Sequence, residues 1–94
     1  MGPSSPERAF QDALRLAADA CGLALGEIPV AYPPTAAQGD LATAVCFDLA
    51  RTARKAPRVL AEAIVAAFVP GGGVVRLEAA GSGYINAFLD RPPA

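Results

Sequence analysis

Proline and glycine punctuate this chain more strongly than any other feature, and they limit what it can fold into. Gly22, Pro33-Pro34, Pro57, the run Pro70-Gly71-Gly72-Gly73 and the triplet Gly81-Ser82-Gly83 cut it into short pieces. Proline removes a backbone donor and fixes one dihedral, while glycine admits left-handed turns, so each of these positions ends an element or opens one. What survives between them is three helix-length segments and three strand-length ones.

Hydrophobic spacing assigns the segments. Ser5-Pro6-Glu7 places an N-cap, a first-turn proline and an acid in the order a helix start favours. Phe10, Ala13, Leu14, Ala17, Ala20 and Cys21 follow at spacings of three and four, which predicts an amphipathic helix from Pro6 to Cys21, ended by Gly22. Ile28, Val30 and Tyr32 alternate as in a short strand, and Pro29, Pro33 and Pro34 restrict it to a sheet edge. Residues 33–39 read as a loop. Asp40 is placed to cap a second helix over Leu41–Arg54, with Leu41, Ala44, Val45 and Leu49 inward. Pro57 opens a third, with Leu60, Ile64, Ala67 and Phe68 inward.

The remainder predicts a β-hairpin. Val75, Leu77 and Ala79 alternate with Val74, Arg76 and Glu78, Gly81-Ser82-Gly83 turns, and Tyr84 to Leu89 returns. The fold class is α+β, in the order α-β-α-α-β-β, with helices packed on a small antiparallel sheet. One ordered domain is expected over about residues 5–90, with residues 91–94 starting a linker, because Arg91-Pro92-Pro93 cannot extend a ladder.

Composition excludes several function classes. With 94 residues and 53% apolar content the chain can build one modest core and is not a disordered tail. Its net charge of −1 is unlike a generic nucleic-acid binder. The charge is nevertheless unevenly spread. Residues 1–50 hold two cations against six carboxylates, and residues 51–94 hold six cations against three, so a polyanion would meet the second half. Cys21 and Cys46 lie in apolar helix-like runs and read as reduced core thiols of a cytoplasmic protein. Glu7 and Arg8 interrupt any signal peptide, and no apolar run approaches the roughly 18 residues of a membrane span, so no membrane partner is expected. With no histidine, two cysteines and scattered acids, no catalytic or metal-binding constellation is expected. The glycine run 71–73 lacks the Lys-Ser/Thr of a phosphate loop.

Two features carry chemistry. Arg51, Arg54, Lys55 and Arg58 fall within eight residues, between two helices. Such a corner can neutralise phosphates, although cations at a helix C-terminus also favour its dipole and a charged corner is commonly just solvated. The last strand carries two rows. If Ile85, Ala87 and Leu89 face the core, Tyr84, Asn86 and Phe88 face outward. Asparagine is depleted in strands. Between two aromatics it suits RNA recognition, in which a ring stacks on an unpaired base and an amide pairs with its edge. Alternatively, the rings pack beneath a helix and the amide bonds the turn.

Four blocks together carry a resemblance. They are Gly39-Asp40-Leu41-Ala42-Thr43, Phe47-Asp48-Leu49-Ala50-Arg51, Ala56-Pro57-Arg58-Val59-Leu60-Ala61-Glu62, and Val75 through Leu89 with its Gly81-Ser82-Gly83-Tyr84-Ile85-Asn86 core. In order and spacing, from about residue 5 to 90, this resembles the N-terminal additional domain of arginyl-tRNA synthetases. The resemblance implies a small α+β module that leans on the outer corner of arginine tRNA. Tyr84 and Asn86 would contact a D-loop base, beside a turn at Gly81 and Gly83 that lets a nucleotide approach. Arg51, Arg54, Lys55 and Arg58, with Arg76, would hold phosphates. It implies no catalysis by these residues and no cofactor for them, with ATP used by the synthetase's catalytic body. The family often has an aromatic at Leu41, Asn at Ala44 and Pro at Ser82. A freestanding protein–protein interaction module on the same fold is the other reading, and the near-neutral charge is compatible with it.

Overall fold

Helix α1 (Pro6–Ala20) begins where its local chemistry starts it: the Ser5 side-chain oxygen accepts the Arg8 amide at 3.2 Å, and Pro6 occupies the first turn. The computed structural model describes residues 5–34, 39–71 and 73–89. The helix buries Phe10, Leu14, Ala17 and Ala18. Ala20 and Cys21, read as inward from their spacing, are exposed. Ala20 is the last helical residue and Cys21 lies beyond it, where Gly22 turns the chain away with φ 74°. The Cys21 thiol instead donates to the Ala63 carbonyl at 3.4 Å. Cys46 is the buried thiol, and burial pushes it up to about 11.

The next strand forms from different residues than the alternation suggested. Strand β1 is Leu41–Thr43, and the 28–32 segment supplies only one bridge, Ala31 to Ala42. Asp40 therefore does not cap a helix. Its amide donates to the Ala87 carbonyl at 2.8 Å and its carboxylate accepts the Leu89 amide at 2.9 Å, which extends the sheet. Gly39 makes this possible. At φ 101° any Cβ there would lie 2.8 Å from the Ala87 oxygen. Helix α2 (Val45–Ala53) starts four residues later than its pattern implied, and Thr43 Oγ1 accepts the Val45 amide at 3.2 Å.

Helix α3 (Pro57–Ala67) buries Leu60, Ala61 and Ile64, and Ala67 and Phe68 are half-buried. Strands β2 (Val74–Ala80) and β3 (Tyr84–Leu89) form the expected hairpin. The antiparallel sheet has order β1-β3-β2, with β3 central. A register shift between Val74 and Arg76 breaks the alternation, so Val74 is buried and Val75 exposed. Helices α1 and α3 contact the sheet, and α2 packs on α3. Phe10, Leu14, Leu60, Ile64 and Ile85 fill the space between the layers, each fully buried and each contributing about 1.5–3 kcal/mol. Leu49 and Leu77 join them. The order α-β-α-α-β-β holds, with the first strand relocated. The linker at 91–94 and part of the loop at 33–39 lie outside the described residues.

Candidate nucleic-acid interface

Alternation along β3 decides which side chains are presented. Ile85 and Ala87 are fully buried and Leu89 is half-buried, so Tyr84, Asn86 and Phe88 occupy the other face. Across that face Asn86 lies between Ala42 of β1 and Glu78 of β2. The row continues outward, because Ala31 exchanges backbone hydrogen bonds with Ala42 at 2.8 and 2.9 Å.

A groove of about 500 Å³ opens here, in the range of small-ligand sites. Tyr84 and Asn86 line it on the strand side, Ala42 and Ala44 lie between, and the segment from Pro29 to Pro34 forms the far wall. Ala44, where the family often has Asn, lines this groove. Ala44 is also the N-cap residue of α2 and makes no side-chain cap, and Thr43 serves only the Val45 amide, so alanine there removes a polar group from both the groove and the helix start.

The far wall is held by one row of α1. Glu7, Gln11 and Arg15, four residues apart, share a helix face. Arg15 donates to the Gly26 carbonyl at 3.2 Å, Gln11 donates to the Ile28 carbonyl at 2.9 Å, and the Tyr32 hydroxyl donates to the Glu7 carboxylate. Thr43 fastens the segment from the sheet side by donating to the Pro29 carbonyl at 2.6 Å. The Tyr32 hydrogen bond holds the Glu7 carboxyl below its ordinary range and the Tyr32 hydroxyl above its own. Sequence reasoning missed this wall, because its polar row reads only as a solvated helix face.

The basic corner adjoins the other end of the groove. Residues 54–56 link α2 to α3, and the corner seats directly on the hairpin tip. A Cβ on Gly83 would lie 2.4 Å from Pro57 Cβ and 3.3 Å from the Phe47 ring, so only glycine permits the contact. Phe47 packs edge-on against Tyr84, with ring centroids 5.1 Å apart, and leaves Tyr84 46% exposed. Arg58 donates to the Gly81 carbonyl at 2.9 Å and pairs with Glu62 at 3.2 Å. The structure thus brings Arg58, Gly81, Gly83, Tyr84 and Asn86 together. Arg51, Arg54 and Lys55 are exposed around the same corner and form no side-chain ion pair among the described residues. Arg76 is elsewhere. Its guanidinium covers the Phe88 ring at 4.1 Å and pairs with Glu78 at 3.1 Å, toward the opposite end of the outer face.

Among the described residues no group of His, Cys, Asp or Glu is placed to hold a metal ion, and no helix is long and apolar enough to cross a membrane. What the groove offers is an exposed aromatic, an amide with both a donor and an acceptor, and nearby cations.

Residues 6–89 match the family described as the arginyl tRNA synthetase N terminal domain. The arginine–tRNA ligase of Thioalkalivibrio sulfidiphilus is 46% identical over 78 residues, which is 83% of this chain and 13% of that protein. That of Syntrophotalea carbinolica is 48% identical over 64 residues, 67% of this chain and 12% of that protein. The structure of Thermus thermophilus arginyl-tRNA synthetase superposes with a TM-score of 0.76 at 25% identity, covering 96% of this chain and 16% of that one. This chain therefore spans only about 13% of the length of such curated relatives, in their N-terminal region. It belongs to the family of arginyl-tRNA synthetase N-terminal domains.

Proposed function

We propose that this domain is the tRNA-recognition module of an arginyl-tRNA synthetase. It holds a splayed D-loop base of arginine tRNA in the groove beside Tyr84 and Asn86, while a separate catalytic body carries out ATP-dependent arginylation in the cytoplasm. The observation that carries this reading is the shared groove. An exposed aromatic and a half-buried amide stand on one strand face and line one groove, next to the turn that Arg58 ties to the basic corner. Tyr84 stacks on the base, Asn86 pairs with its edge, and Arg51, Arg54, Lys55 and Arg58 neutralise phosphates on either side.

The protein-interaction reading draws on a different surface. Leu16 and Val69, 73% and 80% exposed, share a shallow apolar depression with Ala9, Ala13 and Pro70. A titration of the 94-residue chain with arginine tRNA and with a variant changed at the D-loop base separates the two readings. Recognition through the groove predicts binding that weakens with the base change and with Tyr84→Ala or Asn86→Ala. Equal binding of both RNAs by all three proteins, or no binding at all, rejects it.

A further inference from the structure

The chain has two tyrosines and no tryptophan, and both tyrosines line the same groove. Tyr84 comes from β3, and Tyr32 comes from the opposite wall. Neither is buried: Tyr32 is 65% exposed. The residues between them are small. Ala31 bridges Ala42, Ala42 pairs with Asn86, and the two walls stand two strand spacings apart, about 10 Å. Alanine at both positions leaves that space open.

Tyr32 is also positioned. Its hydroxyl is held by Glu7, one residue inside the start of α1, and the segment before it is pinned by Gln11, Arg15 and Thr43. An exposed aromatic with a fixed hydroxyl has lost much of its rotamer freedom before any ligand arrives, which lowers the cost of binding. A tyrosine serving only to anchor the wall would need the hydroxyl and not an open ring.

We propose that Tyr32 is a second base-contacting residue of this groove, held by Glu7, so that nucleotide is taken between two tyrosine-bearing walls. The proposal rests on the groove being the tRNA site, and it adds the opposite wall to that site. Stacking on an aromatic is sequence-tolerant, so Tyr32 contributes affinity, while Asn86 contributes selectivity among bases.

The ring protons of the two tyrosines report separately by NMR on the 94-residue chain titrated with a hairpin of the arginine tRNA D-arm. Both ring systems should shift upfield and saturate together. A shift at Tyr84 with none at Tyr32 overturns this proposal and leaves the tRNA reading standing. No shift at either ring overturns both. Affinity then tests whether the ring or the hydroxyl matters. Tyr32→Ala should weaken RNA binding about tenfold, the scale of one lost stack, and Tyr32→Phe should recover most of that loss. Equal losses in the two variants would make Tyr32 a wall anchor through its hydroxyl and reject stacking.

Discussion

The two rows of β3 belong to one six-residue strand and meet opposite fates. Ile85, Ala87 and Leu89 pack against the helices, where their requirement is volume. Tyr84, Asn86 and Phe88 stand on the other face, where neighbours set the outcome. At one end Arg76 lies over Phe88, which is half-buried, and occupies one face of that ring. At the other end Ala42 and Ala44 are too small to cover Tyr84 and Asn86, and a groove results. Alternation therefore says which residues leave the core, but the cross-strand partners decide which of them stay available to a ligand.

The sharpest contrast lies between the rows. Ile85→Ala should cost about 2–5 kcal/mol, a large part of the roughly 5–15 kcal/mol holding a domain together. The melting temperature should fall by about 10 °C or more. Tyr84→Ala forfeits mainly its edge-on contact with Phe47, about 0.5–1.5 kcal/mol. Calorimetry on both variants checks this. If Tyr84→Ala melts as low as Ile85→Ala, the outer row is structural and the division between the rows collapses.

The same contrast explains what could be read from the sequence. The start of α1, the proline opening α3, the hairpin and the two rows of β3 follow from local chemistry: an N-cap serine, a first-turn proline, a glycine turn and period-two spacing. The residues Leu41–Thr43 did not. Leu41, Val45 and Leu49 recur at helical spacing and are all buried, yet the first belongs to a strand. Pairing with β3 outweighs local preference over three residues, and no local signal announces a partner more than forty residues away. The strict alternation read along β2 breaks for a related reason, because a bulge between Val74 and Arg76 separates Val75 from the row of Leu77. For the site, Tyr84, Asn86 and the basic corner were legible as residue types in a pattern. The far wall was not, because the bonds that Gln11 and Arg15 donate and that Glu7 accepts are tertiary, and the spacing of the three suits any solvated helix face.

Within the outer row, the open end should matter for the tRNA reaction. In the intact synthetase, Tyr84→Ala should raise KM for tRNA about tenfold or more, given about 1–3 kcal/mol per stacked base. Turnover at saturating tRNA should change little, because the contact is equal in ground and transition states. Asn86→Ala should raise KM similarly and also reduce discrimination at the D-loop base. Steady-state kinetics with wild-type and base-changed tRNA measure both. A fall in kcat with unchanged KM would place these residues in the chemistry and not in recognition.

The basic corner should act more weakly and without base preference. The corner presents four cations, Arg51, Arg54, Lys55 and Arg58, so log affinity against log salt should have a slope of only about two to four counterions. Reversing Arg54 and Lys55 to Glu should remove most of that slope and weaken all RNAs alike. Retention of the wild-type slope would move the phosphate contacts to another surface. The two ends of the groove are then distinguishable by experiment: changes at Tyr84 and Asn86 alter which RNA is preferred, and changes at the corner alter the salt dependence.

The smallest effect is expected at the closed end of the outer row. Arg76→Ala removes the cation over Phe88 and an exposed ion pair with Glu78. At exposed sites a cation–π contact is worth about 0.5–1 kcal/mol and a surface ion pair about 0–1 kcal/mol, so the melting temperature should fall by a few degrees at most. RNA affinity and its salt slope should stay near wild type. Phe88 stands four residues beyond Tyr84 along β3, about 13 Å away, so the guanidinium over it lies at the far end from the groove. Parallel salt titrations of wild type and Arg76→Ala decide the point. A slope reduced by about one counterion would show that Arg76 leaves Glu78 for a phosphate, and that the RNA footprint runs the length of the strand. An unchanged slope confines it to the end where Ala42 and Ala44 leave Tyr84 and Asn86 open.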